Sequence, residues 1–418
     1  MTAMSCAFAL ASAAAVACSA LVGVEDVRLQ RGADAAEPDD SGEDPDVEPR
    51  TDASSPVEAS VQLALGYLHT CARKPDGKVR CWGENGAGQL GDGIPFEAGA
   101  RMPALVPQDV PGISDAVQLA SGLSHSCVVH RGGTVSCWGV NSFGQLGDAT
   151  ENRSSSPVDV IGVTDAVSIA CGTSFTCALL KNGTVSCWGA NYSGQLGDGT
   201  KIDRPTAAAV SQLDNVTALA AAENHACAIV KGGTVKCWGR NTDGQLGNGS
   251  TVESLFPTPL GSLAGVAQIV AAARFTCARL DSGQVNCWGT NVDGQLGTGS
   301  ANAAPNPSPA ITNVTDAIAI WVGYDHACAA RKTGDVVCWG SAGSGQVGSG
   351  SVPADASIPR PTAVVGVTGA LDVSTGGDHS CATTRTGGVF CWGGNTFGQL
   401  GDGTTQRAYA AVPVKNFP

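Results

Sequence analysis

Fourteen cysteines, in seven pairs each ten residues apart, are the residues whose type and spacing most directly suggest chemistry. The pairs are Cys71/Cys81, Cys127/Cys137, Cys177/Cys187, Cys227/Cys237, Cys277/Cys287, Cys328/Cys338 and Cys381/Cys391, and the second member always opens Cys-Trp-Gly. Such thiols could form disulfides, ligate zinc or pack reduced in a core. Zinc sites usually bring two short Cys knuckles together, whereas each pair here is separated from the next by about forty residues or more. Two residues before each first Cys stands an aromatic ring: His69, His125, His225, His326 and His379, with Phe175 and Phe275 in the remaining two repeats. A ring of histidines could bind metal or shuttle protons, but a position that accepts Phe is better suited to packing. After each Cys-Trp-Gly comes a near copy of Asn-x-x-Gly-Gln-Leu-Gly-x-Gly, which carries Asp92, Asp148, Asp198 and Asp402 but Asn248, Thr298 and Ser349 elsewhere. Calcium loops need several oxygen ligands at fixed spacing, so Gly and Asn here are read as supplying tight turns.

The segments between paired cysteines dictate local structure. CALLKNGTVSC and CAIVKGGTVKC run apolar, polar with Gly, then apolar, the pattern of a β-hairpin. A spacing of ten with the cysteines opposed implies a three-residue loop ending in a left-handed residue, and Gly77, Gly133, Gly183, Gly233, Gly283, Gly334 and Gly387 occupy that place. Counting outward from this loop puts each Cys pair on a non-hydrogen-bonded rung, where opposed side chains lie closest. Seven cross-strand disulfides are therefore expected, each worth about 2.5–3 kcal/mol on the chain-entropy model, and they require an oxidising compartment. Cys171 is expected to stay outside this set, because Cys6 and Cys18 lie in the leader.

The second Cys recurs after 56, 50, 50, 50, 51 and 53 residues, so the chain is an array of units of about fifty residues. Each unit holds a Pro-Val type segment, an alternating apolar run and two hairpin strands. With 56 glycines, 5% aromatic residues and no helical periodicity, the unit reads as one blade of a β-propeller. The fold class expected is all-β, a seven-bladed propeller of about 51-residue repeats over residues 61–418, closed by the C-terminal strand. The orphan AAVPVKNF at Ala410–Phe417 would add a strand to the blade of Cys71 and Cys81. The recurring His/Phe-x-Cys-Ala-Leu, Gly-x-Val and Trp-Gly-x-Asn-x-x-Gly-Gln-Leu-Gly-x-Gly pattern closely resembles the regulator of chromosome condensation repeat. That resemblance implies seven-bladed propellers. It leaves function open, since relatives include GTPase exchange factors, a plant light receptor and a secreted bacterial β-lactamase inhibitor.

Residues 1–24 carry no charge before Glu25 and are dominated by Ala, Val, Leu and Ser. They read as a signal peptide, residues 1–18, in which Ala15-Val16-Ala17-Cys18 resembles a bacterial lipobox with Cys18 as the lipidated residue. The departures are Ala15 where Leu is favoured and no Lys or Arg before the apolar run. Residues 19–60 form an acidic linker: from 25 to 60 there are twelve acidic and three basic residues, too little apolar surface to offset ordering, and an expected span of roughly 30–35 Å. Most of the net charge of −13 sits there. The acidic balance argues against nucleic acid, which needs a basic footprint.

No phosphate-binding loop, glycosidase-like carboxylate pair or Ser-His-Asp order stands out, so neither cofactor nor metal is expected. Partner-binding candidates come from what differs between blades. Trp321 stands where other blades have Ala64, Ala120, Ala170, Ala220, Val270 and Ser374, and so either fills a local void or projects as a contact, while Phe143, Tyr192 and Phe397 are aromatics inside the Asn-x-x-Gly turns. The expectation is an exported, monomeric, membrane-tethered, non-enzymatic propeller binding a protein or other surface ligand. The alternatives are a hydrolase or lyase with its site in the ring channel, and guanine-nucleotide exchange, which the resemblance alone implies. Non-reducing peptide mapping of protein isolated from an oxidising compartment should recover seven within-hairpin bridges. Free thiols at these fourteen positions would overturn the pairing.

Overall fold

Each hairpin grows into a sheet because the chain turns back on both sides of it. The structure is a computed structural model describing residues 61–96, 101–261, 263–351 and 356–417. The expectations for a signal peptide, Cys18 and the acidic linker lie outside the described residues. Blade 1 consists of strands Gln62–Leu65, His69–Arg73, Val79–Gly83 and Ala104–Asp109, hydrogen-bonded in chain order. Six blades are four-stranded in this way; the fifth is three-stranded, with Gly289 bridging to Ala304 where a fourth strand would run. The segment there carries Pro305, Pro307 and Pro309, which cannot donate to a ladder. The other outer strands carry prolines too, as Pro107, Pro157 and Pro413 show, which blunts the exposed edges.

The first strands of successive blades lie side by side around the ring, and Ala370–Thr375 of blade 7 returns against Gln62–Leu65 of blade 1. The chain is therefore a closed, seven-bladed, all-β propeller. Second and third strands are almost wholly buried between neighbouring blades, which explains why HSCVVH and VSCWG are apolar on both faces rather than alternating.

All seven hairpin glycines have positive φ, from +78° at Gly233 to +88° at Gly334. In the first hairpin Lys74 N–H bonds Lys78 O at 2.8 Å, so counting inward places Cys71 and Cys81 on a non-hydrogen-bonded rung. The same register sets Cys127 opposite Cys137, Cys177 opposite Cys187, Cys227 opposite Cys237, Cys277 opposite Cys287, Cys328 opposite Cys338 and Cys381 opposite Cys391. All seven pairs are joined as disulfides, with Cα–Cα distances of 4.0–4.1 Å. Cys171 is buried outside them.

One expectation is corrected. Ala408–Pro413 does not join blade 1 but is the fourth strand of blade 7, with Cys391 opposite Val412 and Phe390 opposite Pro413. The Asn-x-x-Gly turn returns the chain along the strand it has just left, so every Pro-Val segment completes the blade before it. Closure is instead made by packing between the two blades and by bonds such as Gly403 N–H to Leu105 O at 2.9 Å. Val414 and Phe417 pack with Leu63, Leu65 and Trp82 of blade 1, and the Phe417 and Trp82 rings lie 6.1 Å apart. Truncation after Arg407 should lower Tm by roughly 5–10 °C, through lost apolar burial, and promote oligomers through the bared edge of Val389–Gly393. An unchanged melting curve with a monomeric product would overturn this account of closure.

Candidate functional site

The repeated residues that could do chemistry are consumed within and between blades. The cysteines are consumed within them: Cys187, Cys237, Cys287 and Cys338, like the other ten hairpin cysteines, are fully buried and bonded to their hairpin mates. Their sulfurs are structural staples, with no thiolate left for nucleophilic or metal chemistry. Each blade tryptophan is also fully buried and donates its indole N–H to the backbone carbonyl of the motif Gln in the preceding blade. Trp138 reaches Gln89 O at 2.9 Å and Trp188 reaches Gln145 O at 3.0 Å, and the series closes with Trp82 on Gln399 O at 2.9 Å. The histidines make a second clasp one blade forward. His69 Nε2 meets Ser126 Oγ at 3.0 Å, His125 meets Thr176 at 3.0 Å, His225 meets Thr276 at 2.9 Å, His326 meets Ser380 at 2.8 Å and His379 meets Thr70 at 2.8 Å. Thr70, Thr176, Thr276 and Ser380 each donate their hydroxyl hydrogen to the same Gln carbonyl. Those histidines must therefore donate from Nε2, and their Nδ1 atoms face no partner. Burial pushes all five imidazoles down to about 3, so they are neutral across the physiological range. Where the ring is Phe175 or Phe275, the next blade supplies Ala226 or Ala327 in place of the hydroxyl.

In six of the seven turns an asparagine amide fills the centre where a cation would sit, and in blade 6 Ala342 stands at that place. Asn141 Nδ2 donates to Asp148 Oδ1 at 3.1 Å, Thr150 O at 3.0 Å and Asn152 O at 3.0 Å. His125, Cys127 and Cys171 come within a metal-like radius of one another, but the Cys127 sulfur is bonded to Cys137 and His125 Nε2 to Thr176.

Trp321, expected as a contact candidate, lies inside the protein at 7% exposure. Its indole crosses from blade 6 to blade 7 and donates to Asp372 Oδ1 at 3.0 Å, so it is a packing residue with one polar tip. Burial pushes the Asp372 carboxyl up to about 6, against the bonds from Trp321 and the Val373 N–H. Phe143 and Tyr192 are exposed at 39% and 51%, while Phe397 is half-buried. These three share one face, where the first turn and the Asn-x-x-Gly turn of every blade emerge. Tyr192 donates its hydroxyl to Asn224 of the next blade; Phe143 and Phe397 stand apart from it in blades 2 and 7.

Sequence reasoning missed what gathers at the centre of that face. The two residues before each His or Phe form a short turn between first and second strands, and the ring brings these turns together at the channel mouth. Tyr67 of blade 1 reaches across blade 7 to meet Tyr324 of blade 6, ring centres 6.3 Å apart and edge to face. Gly377 permits this, since a Cβ there would lie 2.2 Å from Tyr67 Cδ2. Beside the pair, Asp325 accepts from Gln295 Nε2 at 3.1 Å, and burial followed by Asp293 pushes its carboxyl up to about 6. Burial likewise raises Glu223, Asp293 and Asp378. Arg240 lies 3.7 Å from both Glu223 and Asp243, and Arg274 lies 3.9 Å from Asp243. The available signal was the variability of those two columns: Tyr-Leu, Leu-Ser, Thr-Ser, Glu-Asn, Ala-Arg, Tyr-Asp and Gly-Asp.

A second cluster, on blade 2 near the opposite face, invites an enzymatic reading. His130 Nδ1 lies 2.7 Å from Asp115 Oδ1, and His130 Nε2 lies 2.9 Å from Ser136 Oγ, beside a cavity of about 450 Å³. Ser136, however, donates its hydroxyl hydrogen to Asp159 Oδ1 at 2.9 Å. Since His130 Nδ1 must donate to the Asp115 carboxylate, Nε2 can donate to Ser136 only in the doubly protonated ring, which is no base. In the singly protonated ring His130 competes with Asp159 for the one Ser136 hydroxyl hydrogen. In blade 6 the corresponding places hold Arg331 and Asp316, 2.7 Å apart, so the His130–Asp115 pair acts as a strut.

Comparison with known proteins fits this geometry. The model of the RCC1-like domain matches residues 30–368, and that of the regulator of chromosome condensation (RCC1) repeat matches 371–399 and 386–417. The chain belongs to the RCC1-like domain family. It is 42% identical over 92 residues to the probable E3 ubiquitin-protein ligase HERC4 of Rattus norvegicus, covering 22% of this chain and 8% of the ligase. It is 32% identical over 115 residues to the secretion-regulating guanine nucleotide exchange factor of Mus musculus, covering 24% and 25%. The chain thus spans a quarter or less of these relatives' lengths. Among solved structures, yeast RCC1 (Prp20) bound to Kap60 superposes with TM-score 0.69 at 23% identity, covering 85% of each chain. Human WBSCR16 gives 0.71 at 22%, covering 81% of this chain and 94% of the other. At these identities the RCC1-like likeness to solved structures establishes the fold alone.

The clasp makes a pH prediction. Each buried histidine has a folded pKa of about 3, below its unfolded value of about 6.5. The unfolded chain therefore takes up more protons between these values, so stability is complete above pH ~6.5 and is lost as pH falls toward ~3. Replacing His125→Phe together with Thr176→Ala copies the Phe175/Ala226 arrangement and should make the fall of Tm between neutral and acid pH shallower. Thr176→Ala alone strands the His125 Nε2–H and should cost about 1–3 kcal/mol. A double variant with an unaltered acid profile would show that His125 does not carry this linkage.

Proposed function

We propose that this propeller is an exported, non-enzymatic binding module, tethered through lipid on Cys18, that engages a protein or other surface ligand with the face carrying the channel mouth. The observation that carries the reading is the separation of roles. Repeated polar residues are spent on blade-to-blade bonds, while the residues that vary between blades gather at one mouth. Seven buried disulfides support an oxidising compartment, and the acidic stretch from 25 to 60 supports a spacer between anchor and ring. Export would separate the chain from cytoplasmic small GTPases, which ranks guanine-nucleotide exchange below surface binding. The blade 2 serine, Ser136, is buried and Asp159 competes for its hydroxyl hydrogen, which weighs against a hydrolase there.

In the cells that make the protein, Cys18→Ser should move the product from membrane to soluble fraction or block its processing. A photo-crosslinker replacing Val292, 65% exposed beside the mouth, should yield adducts with another surface molecule. The same group at Gly132, on an opposite-face hairpin tip, should not. Equal adducts from both positions, or none from position 292, would overturn the docking face. Unchanged membrane attachment of the Cys18→Ser chain would overturn the lipid anchor.

A further inference from the structure

The mouth between blades 4, 5 and 6 is chemically uneven in a way that specifies an occupant. In blades 3 and 5 the motif glutamine spends its Nε2 on an acceptor in the following blade, Gln195 on Asn224 Oδ1 at 3.4 Å and Gln295 on Asp325 Oδ1 at 3.1 Å. For Gln245 of blade 4 the corresponding residue is Arg274, itself a donor. Gln245 is fully buried, its Oε1 accepts the Asp243 N–H at 2.9 Å, and its Nε2 has no acceptor. Arg274 Nε is likewise buried without one, and the guanidinium's ion pair with Asp243 is long at 3.9 Å. Two buried donors, one on each of two neighbouring blades, thus lack an acceptor, a costly arrangement unless something supplies it.

Around these donors stand four carboxylates, Glu223, Asp243, Asp293 and Asp325, against two guanidiniums, Arg240 and Arg274. That excess disfavours an anionic oxygen and favours a neutral carbonyl. Gln295 ties two of the carboxylates together, its Oε1 accepting the Asp293 N–H at 2.9 Å and its Nε2 donating to Asp325 at 3.1 Å. Asp293 disfavours the charged form of Asp325, a repulsion that an incoming cation would relieve. A metal ion does not suit the site, because among the described residues these carboxylate oxygens do not gather within a coordination radius. Widely spaced carboxylates suit an organic cation on a long stem, and the edges of Tyr67 and Tyr324 offer apolar surface for that stem.

We propose that this mouth receives a lysine- or arginine-bearing segment of a partner protein, with the cationic head between Asp293 and Asp325 and a backbone carbonyl of the same segment on Gln245 Nε2 and Arg274 Nε. The assignment rests on the mouth-bearing face being the docking face, and it adds the partner's chemistry.

The test titrates the purified full-length protein with the blocked peptide acetyl-Gly-Arg-Gly-Lys-Gly-amide, and with a counterpart bearing Glu at both charged positions, at low and high ionic strength. The basic peptide should bind, weaken with salt, and lose about 10-fold in affinity in the Asp293→Asn/Asp325→Asn double variant. Gln245→Leu should weaken it about 3–10-fold with the salt dependence retained, marking the carbonyl contact. A melting curve confirms that each variant is folded, and Glu223→Gln provides a second charge variant should the double one unfold. Equal binding to wild type and variants, tighter binding of the Glu peptide, or no binding of the basic peptide would each overturn the proposal. An ordered water satisfying both donors in a crystal of the peptide complex would overturn the carbonyl contact. Crosslinking from position 292 separates the two readings: adducts that persist undiminished in the charge variants leave the docking face standing and remove only the cationic partner.

Discussion

The ring depends on one backbone oxygen per blade. The motif Gln carbonyl accepts the indole N–H of the next blade's tryptophan in all seven interfaces, including the one between the last blade and the first. An indole nitrogen buried without an acceptor is costly, and so is an unpaired carbonyl. Each blade therefore satisfies the polar atoms of its neighbour, and no blade is complete alone. The second glycine of the motif is part of the same contact. At Gly401 φ is +68° and a Cβ would lie 2.7 Å from Trp82 Nε1, so a side chain there would push the tryptophan off its acceptor.

The disulfides and the clasps stabilise different things. A bridge across a ten-residue hairpin restricts the unfolded chain locally and says nothing about which blade sits beside which. Specific adjacency comes from matched pairs. A histidine requires a hydroxyl on the following blade, whereas a phenylalanine requires an alanine, and each combination fills the same space with or without a hydrogen bond. The pairing His379 with Thr70 joins residues 309 apart in the chain, which makes ring closure a property of contacts between blades rather than of a shared strand.

With the repeated residues committed to interfaces, function falls to the columns the fold leaves unconstrained. The two residues of each first turn lie at the channel mouth and bond the end of the third strand through backbone, as Glu84 N–H to Leu68 O at 2.9 Å shows, so their side chains vary freely from Tyr67-Leu68 to Gly377-Asp378. One arc of the mouth has collected charge, with raised carboxylates beside loosely held guanidiniums. The opposite arc has no comparable concentration, since its turns are Leu123-Ser124 and Thr173-Ser174.

The sequence alone determined the hairpins, the disulfide register and the number of blades, because these follow from local geometry: ten-residue Cys spacing, a left-handed Gly and a fifty-residue period. The packing role of the ring residue was also legible, from Phe175 and Phe275 in place of histidine, and its partner was within reach in the Ala226 and Ala327 that accompany them. Only the tertiary structure decided which blade Ala408–Pro413 completes, because two antiparallel edges were open to it and the direction of the preceding turn selects one. The same holds for Trp321, whose burial depends on Asp372 waiting 51 residues away in the next blade. It holds above all for the mouth, where Tyr67 and Tyr324 meet across an intervening blade. Residues separated by most of the chain become neighbours only when the ring closes, and no local pattern encodes their distance.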